Sequence, residues 1–453
     1  MSDQTRQTER FRAERSVVDR VPGIAKFPMH ASAAVIFDGF AFLSGIMAAD
    51  YQTGLAEDAR VNPGLPFHEA PAAKQTEHIY ASLARVLSAC DASLDDVVVV
   101  HQFLTGKGHF EPYRRVAASH WGTDRPPSTA LPCGSLAVPG AVLEVDVMAS
   151  LPTSGRLRER VSSADSPEVL GSYSQGMKFG DWVILAGATP ADHTRTSAPY
   201  PGALGTAVAP NARVDPNLWY GSQIQRQVEY IMLEKQLPVL EAAGSSLDRI
   251  VKAEVYLSEM ETDYLGFQEA WRKIFPDNPP ATTIVPIEGF GSTGSRIEIG
   301  LIALTNESGL RVEPVQSDDA LPPLGHHPQA VRAGNLLFLS TVIAADRNGL
   351  VKSAVPNPGF PFAYSQAELE MEACLGSAAA ICEAAGTSLD FMLKRRNVYL
   401  DLRDIYATES AVRRAWPTDP PASSNMGSTV SMAVPGCRIS MDMVCGIPDA
   451  TDS

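Results

Sequence analysis

Pro279-Pro280-Ala281-Thr282-Thr283-Ile284-Val285-Pro286, then a glycine-rich turn, then Ser295-Arg296-Ile297-Glu298-Ile299-Gly300-Leu301 is the stretch that decides the fold. It reads as a strand, a turn and an alternating strand that returns a carboxylate towards the first. The arrangement recurs twice. One copy opens on Pro126-Pro127-Ser128-Thr129 and closes on Val142-Leu143-Glu144-Val145-Asp146. The other opens on Pro420-Pro421-Ala422-Ser423-Ser424 and closes on Cys437-Arg438-Ile439-Ser440-Met441-Asp442.

Working outward, two more features recur in the same order. Apolar runs behind a glycine turn appear at Phe37-Asp38-Gly39-Phe40-Ala41-Phe42-Leu43-Ser44-Gly45, at residues 179–187 and at residues 333–341. Each predicts a turn feeding a buried strand. A long helix with a stop signal follows, clearest over residues 227–243 with Gly244 beyond,. A strand and a shorter helix then lead to the Pro-Pro hairpin. Leu94 and Leu247 are 153 apart and Leu247 and Leu389 are 142 apart; the hairpin prolines give 153 and 141. One unit therefore occurs three times, with a longer loop at 189–222 in the middle copy. Strands alternating with two helices predict an α+β unit whose sheet is covered on one face. The units are expected at 25–152, 167–306 and 322–448, behind a frayed polar leader at 1–24.

Composition bounds the function. The 453 residues carry 37 Lys+Arg against 52 Asp+Glu, a net charge of −15. An acidic surface repels phosphate, so neither nucleic acid nor an anionic membrane is an expected partner. No apolar run reaches the length of a membrane span, and residues 1–20 lack the apolar core of a signal peptide. The six cysteines form no Cys-x-x-Cys pair, which predicts reduced thiols and a cytoplasmic protein. No metal-ligand spacing and no cofactor motif is present.

Each unit resembles the YjgF/YER057c/UK114, or Rid, family of small α+β domains with the chorismate-mutase-like fold. In the middle copy the resemblance rests on Gly171-Ser172-Tyr173-Ser174-Gln175-Gly176, Val183-Ile184-Leu185-Ala186-Gly187, Leu240-Glu241-Ala242-Ala243-Gly244, Val255-Tyr256-Leu257 and Arg296-Ile297-Glu298-Ile299. The resemblance implies small-molecule sites in the clefts of a trimer, here an intramolecular pseudo-trimer with three unlike clefts. It also implies hydrolysis of enamines or imines such as 2-aminoacrylate, with an arginine after the hairpin proline to hold a carboxylate. Those positions are Ser128/Thr129, Thr282/Thr283 and Ser423/Ser424, so no copy has the arginine. A hydroxyl cannot replace a bidentate guanidinium, which places the usual 2-imino acid in doubt.

The family's glutamate matches Glu298 and Glu144, with Ser440 in the third copy. Its tyrosine matches Tyr173, with Ala31 and His327 as counterparts; its serine matches Ser44 and Ser340, with Ala186 in the middle copy. Glu298 and Glu144 are the candidate acid/base groups, because a carboxylate in an apolar cleft can be held protonated. Tyr173, Ser44, Ser340, His327, Thr282, Ser128 and Arg296 are the candidate substrate-binding residues. Arg296, two residues before Glu298, shares its strand face and would otherwise form a salt bridge with it. His101, in an otherwise apolar strand, pairs by position with Glu254, either at an interface between copies or as a satisfied core histidine. Cys133 reads as packing. The Asn-Pro-Gly turns at 62–64 and 357–359 and the loop with Trp219-Tyr220 read as turns or as cleft lids.

Two classes of function stay open. One is a hydrolase or deaminase acting on a C–N bond of an imine, enamine or related substrate, with chorismatase-like or tautomerase chemistry as a further enzymatic option. The other is a non-catalytic small-molecule binding or regulatory protein. The chain is expected to be a monomeric pseudo-trimer, with association of such units left open.

Overall fold

The computed structural model describes residues 14–25, 29–196, 205–214 and 222–449. Strand-forming sequence lies where the repeat places it. Val97-Val98-Val99-Val100-His101-Gln102-Phe103-Leu104, rich in β-branched residues, is a fully buried strand,. Its counterparts are Ile250–Leu257 and Met392–Tyr399. Each pairs in parallel with its hairpin strand, at Ser128–Pro132, Ala281–Pro286 and Ala422–Gly427. Each pairs antiparallel, on its other side, with the returning strand at Leu143–Ser150, Ile297–Leu304 or Ile439–Gly446. The strands from the glycine turns complete three sheets of one topology.

The leader differs from expectation. Ser16–Val18 is not frayed but pairs with Ala34–Phe37 as an edge strand. Arg158–Val161 and Glu313–Val315 do the same in the other sheets. Each sheet thus begins ahead of residues 25, 167 and 322, because an extended linker meets an unpaired strand edge there.

Two helices cover one face of each sheet. The long ones are Pro71–Ser88, the run from Gln223 to Ala242, and Gln366–Ala384. The short ones are Phe110–His120, Met260–Ile274 and Asp404–Ala415. Each long helix is followed by a residue of positive φ: Asp91, Gly244 or Gly386. This left-handed position lets the next N–H reach back to Leu87, Leu240 or Cys382, closing the helix,.

The uncovered sheet faces turn towards one another. Val35, Phe40, Met177, Trp182, Val331 and Phe338, from all three units, pack in one apolar cluster. Met47, Phe103, Tyr256, Val285, Val398 and Met426 form a second. Between them lie His101, Glu254 and Arg396, one from each central strand at equivalent positions. His101 Nε2 is 2.8 Å from Glu254 Oε2, and Arg396 Nη1 donates to Glu254 Oε1 at 2.9 Å. Asp146 and Asp442 complete the group, at 3.4 and 3.3 Å from the Arg396 guanidinium. The expected His101–Glu254 contact between copies therefore exists, within a charged layer around the pseudo-threefold axis. Burial alone would lower the His101 imidazole, but Glu254 beside it raises it above its ordinary value. Burial alone would raise Glu254, yet His101 and Arg396 hold it well below the carboxylate range,.

Candidate active site in the unpinned cleft

The three seams between units are not equivalent, and the difference lies in two side chains. Between the middle and third units, Lys252 Nζ bonds Thr283 Oγ1 (2.6 Å), Asp442 Oδ1 (2.7 Å) and the Leu339 carbonyl. Ser340 Oγ donates to the Pro328 carbonyl (2.6 Å) and accepts from Thr282 N (2.9 Å). Between the third and first units, Lys394 Nζ donates to the Leu43 carbonyl (2.5 Å) and Ser424 Oγ (2.8 Å). Ser44 Oγ donates to the Ser32 carbonyl (2.6 Å) and accepts from Ser423 N (2.8 Å). Between the first and middle units the lysine position holds Val99 and the serine position Ala186. Neither pin exists there. A cavity of about 1300 Å³ opens at this seam. The cavity at the middle–third seam is about 30 Å³, room for roughly one or two water molecules.

Glu298, Tyr173, Ser128 and Arg296 all line the large cavity. Glu298 is buried, and desolvation raises its carboxyl to about 8, with Lys235 and His101 opposing the rise. Space for it comes from Gly187, where a Cβ would lie 2.0 Å from Glu298 Oε1 and 2.8 Å from Thr129 Oγ1. Gly187 N donates to Thr129 Oγ1 at 3.1 Å across the seam. Tyr173 stands against Glu298; burial first, and that carboxylate second, hold its phenol well above the ordinary range. Arg296 does not pair with Glu298. It lies 2.9 Å from Asp263 Oδ2, pairs with Glu259 and donates to Thr262 Oγ1 at 2.9 Å. It belongs to the cavity rim.

The sequence reading missed Lys235. Its ammonium donates to the carbonyls of Thr189 and Ala191, both at 2.9 Å, and burial lowers it to about 8. A local change in the helix brings it there. Gln75, Gln227 and Glu370 each accept from the start of the returning strand, at Val142, Arg296 and Arg438. The helix-closing carbonyls, Leu87, Leu240 and Cys382, lie twelve, thirteen and twelve residues further on. The middle helix thus has one extra residue, taken up as a π-helical segment at Tyr230–Gln236,. Pro238, which lacks a donor N–H, follows it,. Lys235 is in that segment, where the other helices carry Ser82 and Ser377 by position.

Gln102 is the second missed residue. It is fully buried and lines the cavity. Its Oε1 accepts from Ser128 Oγ at 3.0 Å, and its Nε2 finds no acceptor among the described residues.

The remaining candidates lie elsewhere. Glu144 is buried and raised to about 8 by desolvation, with Asp146 adding to the rise. It occupies the pinned third–first seam and lines neither the 1300 Å³ cavity nor the 30 Å³ one. Glu298 and Glu144 are therefore not brought together. Ser44 and Ser340 have both hydrogen-bonding roles taken by backbone. Thr282 is buried and donates to the Pro280 carbonyl at 3.0 Å. His327 faces the 30 Å³ cavity, contacts its neighbour's carbonyl at 3.1 Å and is lowered by burial to about 4, which keeps it neutral. Cys133 is buried, its thiol raised by desolvation. The two Asn-Pro-Gly turns are closed alike by Asn62 and Asn357 side chains and line no described cavity. Trp219 and Tyr220 lie outside the described residues. Among the described residues no group of three His, Cys, Asp or Glu side chains is placed to hold a metal, and no helix is long and apolar enough to cross a membrane.

Comparison with known proteins gives the same family for two of the units. The family model Endoribonuclease L-PSP matches residues 28–151 and 163–305. A RutC family protein of Saccharolobus solfataricus is 29% identical over 131 residues, which is 29% of this chain and 86% of that protein. The protein mmf2, mitochondrial, of Schizosaccharomyces pombe is 35% identical over 135 residues, covering 29% and 87%. Among solved structures, yeast Mmf1 matches 33% of this chain and 100% of its own, at 25% identity and a TM-score of 0.26. A chorismatase matches 78% of this chain and 94% of its own, at 14% identity and a TM-score of 0.46.

Proposed function

Because the chain belongs to the Endoribonuclease L-PSP family, which includes the Rid proteins, we propose that its first–middle cleft is an acid/base site hydrolysing a C–N bond. The substrate is an imine, an enamine or a related small molecule, and the protein is a hydrolase of the deaminase type. One observation carries this reading: a buried glutamate held protonated to about pH 8 lies in the one seam that lacks both pins, beside a half-buried lysine.

The chemistry balances with these groups alone. The Glu298 carboxylic acid gives its proton to the imine nitrogen, or to the enamine carbon, making the adjacent carbon electrophilic. Water adds to that carbon and the Glu298 carboxylate takes the water proton. The carbinolamine then collapses to a carbonyl as Glu298 gives its proton to the departing amine and takes the proton of the carbinolamine hydroxyl, which restores the acid. Lys235 places positive charge beside the carboxylate formed midway, and Tyr173 offers a phenolic O–H in the same cavity,. Ser128, at the position where the family resemblance implies an arginine, supplies no guanidinium, so a 2-imino acid is not the favoured substrate. The family's name refers to an endoribonuclease. A chain of net charge −15 offers no basic track for RNA,, and a small molecule is the better fit to the cavity. Six free, buried cysteines support a reducing, cytoplasmic setting,.

The test is amine release from a panel of enamines and imines by the intact chain. Turnover that Glu298→Gln abolishes, with an unchanged thermal unfolding curve, supports the proposal. Binding without turnover across the panel, or full activity in Glu298→Gln, overturns it.

A further inference from the structure

The Gln102 amide is the one fully buried side chain facing the large cavity whose donor finds no acceptor among the described residues. An unmade bond on a buried amide is destabilising, and a ligand that makes it gains by that amount. Its counterpart in the third unit shows the alternative. Asn397 donates its Nδ2 to Asn425 Oδ1 at 2.7 Å and keeps its amide inside the protein. The other counterpart is the apolar Val255. Only in the first unit does an amide face an open cleft with a free donor.

The orientation of that donor is fixed from behind. Ser128 Oγ donates to Gln102 Oε1, so the acceptor end is occupied and the N–H end points away from Ser128. Ser128 belongs to the hairpin strand, directly beside Thr129, whose hydroxyl meets Gly187 across the seam. Gln102 therefore lies on the first-unit wall of the cavity, and Glu298 and Lys235 on the middle-unit wall.

We propose that Gln102, oriented by Ser128, is the substrate-reading residue of this cleft, and that it selects a neutral carbonyl oxygen, as in an amide or lactam. The inference rests on the placement of the site given above and adds the substrate class. A neutral amide N–H matches a neutral acceptor. A carboxylate at the same place calls for cationic donors. Of the cations lining the cavity, Lys235 already directs two hydrogen bonds to the backbone carbonyls of Thr189 and Ala191, Arg114 pairs with Glu111, Arg296 pairs with Glu259 and Asp263, and Lys107 is exposed.

The experiment measures binding to the full chain by calorimetry, with N-methyl-2-pyrrolidinone as a neutral carbonyl acceptor and pyruvate as a carboxylate. N-methyl-2-pyrrolidinone is expected to bind more tightly than pyruvate. Gln102→Leu should weaken it about tenfold, the loss of one hydrogen bond. Ser128→Ala keeps the amide and frees its orientation, so it should weaken binding by a smaller factor and keeps the test open if Gln102→Leu fails to fold. Tighter binding of pyruvate, or binding within twofold of native in both variants, overturns the inference. The readout is binding, whereas the acid/base role of Glu298 is read by turnover, so either can fail while the other stands.

Discussion

Gly187 and Glu298 occupy complementary space: a Cβ at Gly187 would lie 2.0 Å from Glu298 Oε1. The same fit recurs at Gly45, 1.9 Å from Glu144 Oε1. The third unit has Thr341 in place of the glycine and Ser440 in place of the glutamate. Glycine therefore accompanies the carboxylate, and a side chain its absence.

Gly187→Ala is expected to displace the Glu298 carboxyl and abolish turnover, with a stability loss of about 1–3 kcal/mol from overpacking. Gly45→Ala should cost similar stability through Glu144 and leave turnover intact. Denaturant unfolding and turnover of the two variants, measured together, separate the site from the packing.

Stability should fall as pH rises through the neutral range. Glu298 and Glu144 are each raised from 4.5 to about 8. Between these values the folded chain holds protons that the unfolded chain has released, so unfolding becomes easier as pH increases. Glu298→Gln should remove its share of this slope. Thermal unfolding from pH 5 to 8 should show the native chain losing stability relative to the variant.

Lys235→Met should move the titration of Glu298 upward, because Lys235 is the larger of the two charges opposing its rise. The decline of turnover above pH 8 would then shift to higher pH. A pH–rate profile of the variant reads this directly, and a shift to lower pH would count against the placement of Lys235.

The charged layer on the axis should be indispensable to the fold. Arg396 faces Asp146, Glu254 and Asp442. Arg396→Met would leave buried carboxylates without their shared cation, at a cost of about 3–5 kcal/mol. His101, raised by Glu254, adds stability that is fully present below its unfolded value near 6.5 and is lost as pH rises through the folded one. Chemical denaturation of Arg396→Met and of His101→Ala at pH 6 and 9 checks both.

Much of the fold was legible because a repeat is a pattern at fixed offset. The offsets 153 and 142 align His101 with Glu254 and Arg396, and Glu144 with Glu298 and Ser440 to within a residue. The site was half legible. Glu298 and Tyr173 lie on elements whose motifs recur, but Lys235 reaches the cavity through a one-residue insertion that amphipathic spacing conceals. The signal was there: a lysine shortly after the apolar run Tyr230-Ile231-Met232-Leu233, and one residue more between equivalent points of this helix than in its copies. Lys252 and Lys394 interrupt central strands, and Val99 stands in their place in the first unit. Comparing those three positions would have singled out the unpinned seam. The serines at 44 and 340 were expected in substrate binding from the family resemblance; the backbone N–H that each accepts, from Ser423 and Thr282, belongs to another unit and is invisible from local sequence.

The most direct test is the pH–rate profile of Glu298→Gln beside that of Glu144→Gln, on the imine or enamine the native chain turns over fastest. Glu298→Gln should lose at least about a hundredfold in rate, and Glu144→Gln should keep the native rate and its decline above pH 8. A native profile in Glu298→Gln, or the loss appearing in Glu144→Gln instead, would contradict the assignment of catalysis to the first–middle cleft.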